Sequence, residues 1–180
     1  NYDASATCDN ASCILPNGCL DSTALNYDAT STCDDGSCVY QMTYVPDDNF
    51  ESYLESNGMG NGVTNDDYVL NSNISDVSIL DVGYQSISDL TGIEDFTALT
   101  ELYCRNNQLI SLDVSNNTAL TVLSCRNNNN LTSLNDLSQN TALTNLYCQN
   151  TKIGSLDLSN NTALTYLQCT GAQLTILDVR

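Results

Sequence analysis

The sequence predicts a curved solenoid on a parallel β-sheet, with few helices, a short N-terminal helical cap and small disulfide-rich acidic repeats ahead of the cap. Three observations predict it. From Val77 onward one apolar pattern returns at residues 77, 99, 120, 143 and 164, in steps of 22, 21, 23 and 21. Residues 46 to 56 carry the spacing of one amphipathic helix. The first 40 residues hold two copies of a cysteine- and aspartate-bearing unit, offset by 25. Units that recur at such short periods cannot bury an apolar face alone, so they stack and build one core jointly.

The repeating unit reads Leu99-x-x-Leu102-x-Cys104-x-x-Asn107-x-Leu109, then Leu112-Asp113-Val114-Ser115-x-Asn117-Thr118-Ala119. It returns from Leu120 through Leu123, Cys125 and Asn128 to Leu131, from Leu143 through Cys148 to Ile153, and from Leu164 through Cys169 to Leu174. A degenerate copy runs from Val77 to Ile87. This is the leucine-rich-repeat signature with Cys in the third apolar slot. Each unit supplies one short strand, and the Asn at the bend can satisfy backbone groups that the turn leaves unpaired. Thr151 and Ala172 replace that Asn, so the ladder should weaken towards the C-terminus.

The cap follows from residues 46 to 56. Asp47 or Asp48 can cap the helix, Glu51 lies in its first turn, and Phe50, Tyr53 and Leu54 share one face. Asn57-Gly58 ends it. The expected organisation is a truncated Cys/Asp-rich repeat over 1–15, a complete one over 16–40, linker and cap over 41–73, and about five leucine-rich repeats over 74–180. The chain begins and ends inside repeats, so a mature fragment of a longer protein is expected, with further repeats following.

Three segments carry a family resemblance: Leu112 to Cys125 (LDVSNNTALTVLSC), Ile87 to Cys104 (ISDLTGIEDFTALTELYC) and Thr43 to Gly62 (TYVPDDNFESYLESNGMGNG). Over residues 43 to 180 the chain resembles the internalin-like leucine-rich repeats of Bacteroidota, marine flavobacteria above all. That resemblance implies a part of a large secreted surface protein, often exported by the type IX system, at the outer cell surface. Asn1-Tyr2-Asp3-Ala4 with Cys8 to Cys13 aligns with Asn26-Tyr27-Asp28-Ala29 and Cys33 to Cys38. This unit resembles short Asn-Tyr-Asp…Asp-Asp-Gly-Ser-Cys repeats that occur in tandem in surface proteins of the same bacteria. In the commonest form of that repeat only the cysteines matching Cys19 and Cys38 occur, which implies that these two pair. Cys8 and Cys33 are then extra and able to bridge the copies, and Cys13 has lost an upstream partner.

The remaining cysteines, Cys104, Cys125, Cys148 and Cys169, share one repeat position. A metal or disulfide ladder competes with a column of small apolar core residues. Equivalent side chains on adjacent parallel strands are poorly placed to bridge, and soft metals want tetrahedral ligands, so the core role is expected.

Composition bounds the function. The 180 residues hold 22 Asp plus Glu, 4 Lys plus Arg and no His, for a net charge of −18. Such a chain lacks the clustered cations that nucleic acid or an anionic membrane surface requires. Without His, a Ser-His or Cys-His nucleophile pair is excluded within this chain. Composition thus points to binding and not catalysis, and the resemblance implies that the role is recognition or adhesion at the cell surface, towards a protein or glycan ligand. A structural stalk or filament segment associating with copies of itself is the alternative.

Two candidate sites follow. Calcium suits the oxygen-rich acidic repeats: Asp21, Asp28, Asp34 and Asp35 crowd one unit, with Asp3 and Asp9 in the other, although Asp34-Asp35-Gly36-Ser37 also reads as a plain tight turn. The concave face is the second. Residues flanking the apolar slots form columns: Ile79, Glu101, Val122, Asn145 and Tyr166; Asp81, Tyr103, Ser124, Tyr147 and Gln168; Gly83, Arg105, Arg126, Gln149 and Thr170. Arg105 and Arg126 stack next to each other, and like charges on neighbouring strands repel, so an anionic counter-group is expected. Either a ligand supplies it or Asp81 and Glu101 do. Several Asn-x-Ser/Thr triplets, such as Asn116-Asn117-Thr118, fall out of the repeat consensus, and Asp21-Ser22-Thr23 resembles a Bacteroidota O-glycosylation motif.

Overall fold

A computed structural model describes residues 16 to 179. The chain divides into two compact units, Asn1–Met42 and Thr43–Arg180. In the first, β1 (Asn17–Gly18) and β2 (Cys33–Asp34) pair in parallel, and a disulfide joins Cys19 to Cys38. Cys19, Ala24 and Cys33 are its buried apolar side chains. Among the described residues these three small side chains bury little surface, so the cross-link contributes to holding them together. Cys8 and Cys13 lie outside the described residues, and with them the pairings considered for them.

The second unit opens with β3 (Met42–Tyr44), α1 (Asp48–Ser56), β4 (Tyr68–Leu70) and the short α2 (Asn71–Ile74). Asp47 is the N-cap, accepting hydrogen bonds from the Asn49 and Phe50 N–H groups. Phe50 and Leu54 are fully buried and Tyr53 packs partly, so the expected face is the one that docks. Phe50 stacks 6.3 Å from Phe96, which joins the cap to the first repeat. The other oxygen of Asp47 accepts from Ser88 N at 2.8 Å, Ser88 Oγ at 2.6 Å and Asp89 N at 3.2 Å. One carboxylate thus ends a helix and clamps it to the loop of the neighbouring turn. Gly92 shows how closely they meet. With φ at 102°, a Cβ there would lie 2.9 Å from the Tyr44 carbonyl oxygen, so only glycine fits.

The solenoid follows as β5 (Ile79–Asp81), β6 (Glu101–Tyr103), β7 (Ser111–Leu112), β8 (Val122–Ser124), β9 (Ser133–Leu134), β10 (Asn145–Tyr147), β11 (Ser155–Asp157), β12 (Tyr166–Gln168) and β13 (Ile176–Asp178). One five-stranded parallel sheet runs β5-β6-β8-β10-β12, while β7 pairs with β9 and β11 with β13. Leu80, Leu102, Leu123, Leu146 and Leu167 face one another in register. All but Leu167, in the last turn, are buried. This is a parallel-strand leucine-rich-repeat solenoid of about five turns, as the period requires.

Side-chain ladders bracket each strand. Before it, the hydroxyls of Thr100, Thr121, Thr144 and Thr165 each donate to the carbonyl of the preceding turn, at 2.9 to 3.3 Å. After it, Asn106, Asn127 and Asn150 sit at positive φ, a region Asn tolerates better than most residues. Their amides bond head to tail, Asn127 to Asn106 at 3.1 Å and Asn150 to Asn127 at 2.7 Å. The buried ladder comes next. Asn128 donates to the carbonyls of Cys104 and Cys125 and accepts from Leu109 N–H. Thr151 makes one bond, to Cys148, so the ladder does thin towards the C-terminus. A second buried set, Asn117, Asn140 and Asn161, donates to two carbonyls each on the far side of the turn.

The cysteine column belongs to the core. Cys104, Cys125 and Cys148 are fully buried and Cys169 partly. The thiols of Cys104 and Cys125 donate to the carbonyls of Ser124 and Tyr147, each 3.5 Å away on the next strand. Burial pushes the Cys104 and Cys148 thiols up to about 12 and that of Cys125 well above its ordinary value, so all three stay protonated and inert.

Candidate functional site

The five central strands are three residues long with a middle leucine that is buried in all but β12, where it is partly buried, so their end residues stand on the opposite face. Register aligns Ile79, Glu101, Val122, Asn145 and Tyr166 in one row and Asp81, Tyr103, Ser124, Tyr147 and Gln168 in another. Ser124 differs from its row. It is 5% exposed and offers its backbone to Cys104, which removes it from the contact surface.

The N-terminal half of this face satisfies itself. Both Asp81 oxygens lie 3.1 Å from Arg105 Nη1. The guanidinium also stands 5.8 Å from the Tyr84 ring and 5.9 Å from the Tyr103 ring, a cation between two aromatic faces. Gly83 leaves it room, since a Cβ there would lie 3.2 Å from Arg105 Cγ. Tyr103 donates to Glu101 at 2.6 Å, and that bond, with burial and the carboxylate charge, pushes its phenol up to about 12. Asp81 therefore supplies the expected counter-charge for Arg105, and Glu101 is taken by a tyrosine.

The C-terminal half is open. Arg126 is exposed, and no carboxylate lies within 4.0 Å of it among the described residues. In the next turn, at the position matching Arg126, Gln149 buries its Oε1 without a donor. Tyr147 and Tyr166 pack with ring centroids 5.1 Å apart, and Tyr166 is 45% exposed. Asn145 and Gln168 lie beside them and touch the two phenols only at 3.5 Å.

The acidic N-terminal residues are engaged one by one. Asp21 accepts from Thr23 N–H and hydroxyl and from Tyr40, Asp28 from Thr30 and Ser31, Asp34 from Gly36 N–H and Asp35 from Ser37 N–H. These bonds hold the carboxyls of Asp21, Asp28 and Asp35 below their ordinary value. The residues shape turns. Asp3 and Asp9 lie outside the described residues. A carboxylate triple stands elsewhere: Asp48, Glu51 and Asp67 bring oxygens within 4.8 Å of one another. Sequence reasoning missed it because Asp67 is 16 residues beyond Glu51. Glu51 is fully buried and accepts from Asp66 and Asp67 N–H, closing the loop between α1 and β4.

No protein-family model matches the sequence. Internalin J of Listeria monocytogenes (serotype 4b, strain F2365) is 40% identical over 74 residues, 41% of this chain and 8% of that protein. A solved structure of the functional domain of InlJ from Listeria monocytogenes, which includes a cysteine ladder, matches 76% of this chain at 38% identity with a TM-score of 0.65. The internalin InlF from the same species matches 73% at 25% identity with a TM-score of 0.57. The chain spans 30% and 45% of those two structures and far less of the curated relative. Over its repeats, this chain is a parallel-strand leucine-rich-repeat solenoid, similar in sequence and fold to those internalin structures.

Proposed function

We propose that this chain is a recognition module that holds a protein or glycan ligand on the five-stranded face, as part of a secreted or surface-displayed protein of the flavobacterial type its motifs resemble. The observation that carries this is the contrast between two faces of the same turns. The loops after β9 and β11 spend their side chains on their own backbone, as Asp136 does on Ser138 and Asp157 on Ser159. The sheet face instead gathers the Tyr147–Tyr166 pair and the exposed guanidinium of Arg126, which has no carboxylate partner among the described residues. Aromatic, arginine and amide side chains on a rigid scaffold make adaptable contacts at low entropic cost. The Cys19–Cys38 disulfide fits an oxidising, extracytoplasmic location. With no His in the chain, binding suits these groups better than acid/base chemistry.

The test is a binding panel of immobilised extracellular proteins and oligosaccharides. The wild-type chain is compared with a Tyr147→Ala/Tyr166→Ala double variant and with Gln139→Ala on the loop after β9. Retained binding only in Gln139→Ala supports the sheet face. Equal binding by all three chains refutes it and favours a spacer role built on contacts between copies. Calcium in the N-terminal unit stands as a second proposal for Asp21, Asp28, Asp34 and Asp35. A melting temperature raised by calcium over chelator, and abolished in Asp34→Asn/Asp35→Asn, supports it; equal melting removes it.

A further inference from the structure

The half of the face around Arg126 has a specific chemistry. Two arginines occupy matching positions in successive turns, and the structure treats them oppositely. Arg105 is neutralised by both oxygens of Asp81 and held between Tyr84 and Tyr103. Arg126 is exposed and has no carboxylate partner among the described residues. On the same face, Tyr147 and Tyr166 occupy end positions of the neighbouring strands β10 and β12, with ring centroids 5.1 Å apart. A lone guanidinium and an aromatic pair on one face define what fits: a carboxylate flanked by an apolar or aromatic side chain.

We propose that Arg126 anchors a short protein segment presenting one Asp or Glu carboxylate flanked by apolar or aromatic residues. This rests on the sheet face being the binding surface. The net charge of −18 narrows the partner further. A polyanion is repelled by the whole chain, whereas a single carboxylate is attracted over a few ångströms by Arg126, because more distant charges are screened beyond about 8 Å at physiological salt. The shape of the face points the same way. Two cavities, of about 310 and 260 Å³, are lined by residues such as Asp89, Glu94 and Asp113 in one case and Leu158, Leu164, Val179 and, from this face, Tyr166 in the other. Arg126, Tyr147 and Gln149 line neither of these two. An open strand surface suits a peptide lying across it, whereas a small ligand prefers enclosure.

The experiment uses the whole chain and a displayed library of random twelve-residue peptides, with a parallel array of uncharged and acidic oligosaccharides. Selected peptides should share an acidic residue next to an aromatic or branched apolar one. Their affinity should fall about tenfold or more on Arg126→Ala, as expected for loss of a charge-assisted bidentate contact. Arg126→Lys should recover only part of it, and Gln139→Ala should leave it unchanged. Selected peptides that lose affinity in the Tyr147→Ala/Tyr166→Ala variant but not in Arg126→Ala overturn the anchor and leave the face standing. Peptides indifferent to both variants overturn the face itself. Arg126-dependent binding to acidic oligosaccharides, with no peptide enriched, overturns the assignment to protein.

Discussion

Replacing Asp47 by Ala should cost the leucine-rich-repeat unit about 3 kcal/mol at neutral pH, through the loss of one carboxylate. Asp47 accepts five hydrogen bonds: two from the first turn of α1, and three from Ser88 and Asp89 in the adjoining loop. Loss of the cap costs about 1 kcal/mol, and loss of charge-assisted bonds at the loop about 2 more, moderated because water reaches Ser88 and Asp89. Burial by itself raises the Asp47 carboxyl, but the bonds from Ser88, Phe50 and Asp89 outweigh it and leave it below the ordinary value. The sign of the pH dependence follows. A carboxyl lowered on folding contributes stability above its unfolded value, about 3.9, and loses it as pH falls through the folded value. The gap between wild type and Asp47→Ala should therefore be widest at pH 7 and narrow progressively as pH falls below the unfolded value. Urea unfolding of both proteins from pH 7 to 3 measures it. Hydrogen exchange should show residues 48–56 opening first. A difference under about 0.5 kcal/mol at pH 7, or one that persists unchanged in acid, would refute the clamp.

Three further outcomes follow from the ladders and cross-links. Asn128→Ala removes the side-chain donor to the Cys125 carbonyl and the acceptor for the Leu109 N–H in the core, while the Cys104 carbonyl keeps Asn107, and should cost about 2 kcal/mol, against about 1 for Thr151→Ala with its single bond, both read from urea unfolding. In the native protein Cys104, Cys125 and Cys148 should resist a thiol reagent that labels Cys169 first, with all four reacting in denaturant; mass spectrometry of the alkylated protein gives the order. Cys19→Ser/Cys38→Ser should remove about 3 kcal/mol from the N-terminal unit and expose it to protease while the repeats stay intact.

The solenoid was legible because its constraints repeat. A leucine spacing copied four times needs no long-range information, and neither did the cap, whose Asp47, Phe50 and Leu54 lie within one helix. What escaped was set by distance in three dimensions. The reach of Asp47 to Ser88 and the crowding of Gly92 against Tyr44 depend on how the cap lands on the first turn. The αL Asn column was overlooked although Asn106, Asn127 and Asn150 recur beside the Asn107–Asn128 ladder, because periodic polar residues read as solvated loop. On the sheet face the columns emerged from the period alone, but the fate of each member did not. The period left open whether Asp81 or a ligand takes Arg105, and the burial of Ser124 and the bond from Tyr103 to Glu101, two residues back on its own strand, are decided by side-chain packing. The separation of a satisfied half from an open one is invisible in a consensus that writes both arginines alike.

The most direct test of the account maps a bound ligand onto the chain. Amide resonances of the whole protein would be followed by NMR as the tightest ligand from the panel is added. The account predicts shifts concentrated at Arg126, Asn145, Tyr147, Gln149, Tyr166 and Gln168, with little change at the loops after β9 and β11. Shifts gathered on those loops, or confined to residues 16–42, with the sheet face unmoved, would contradict it.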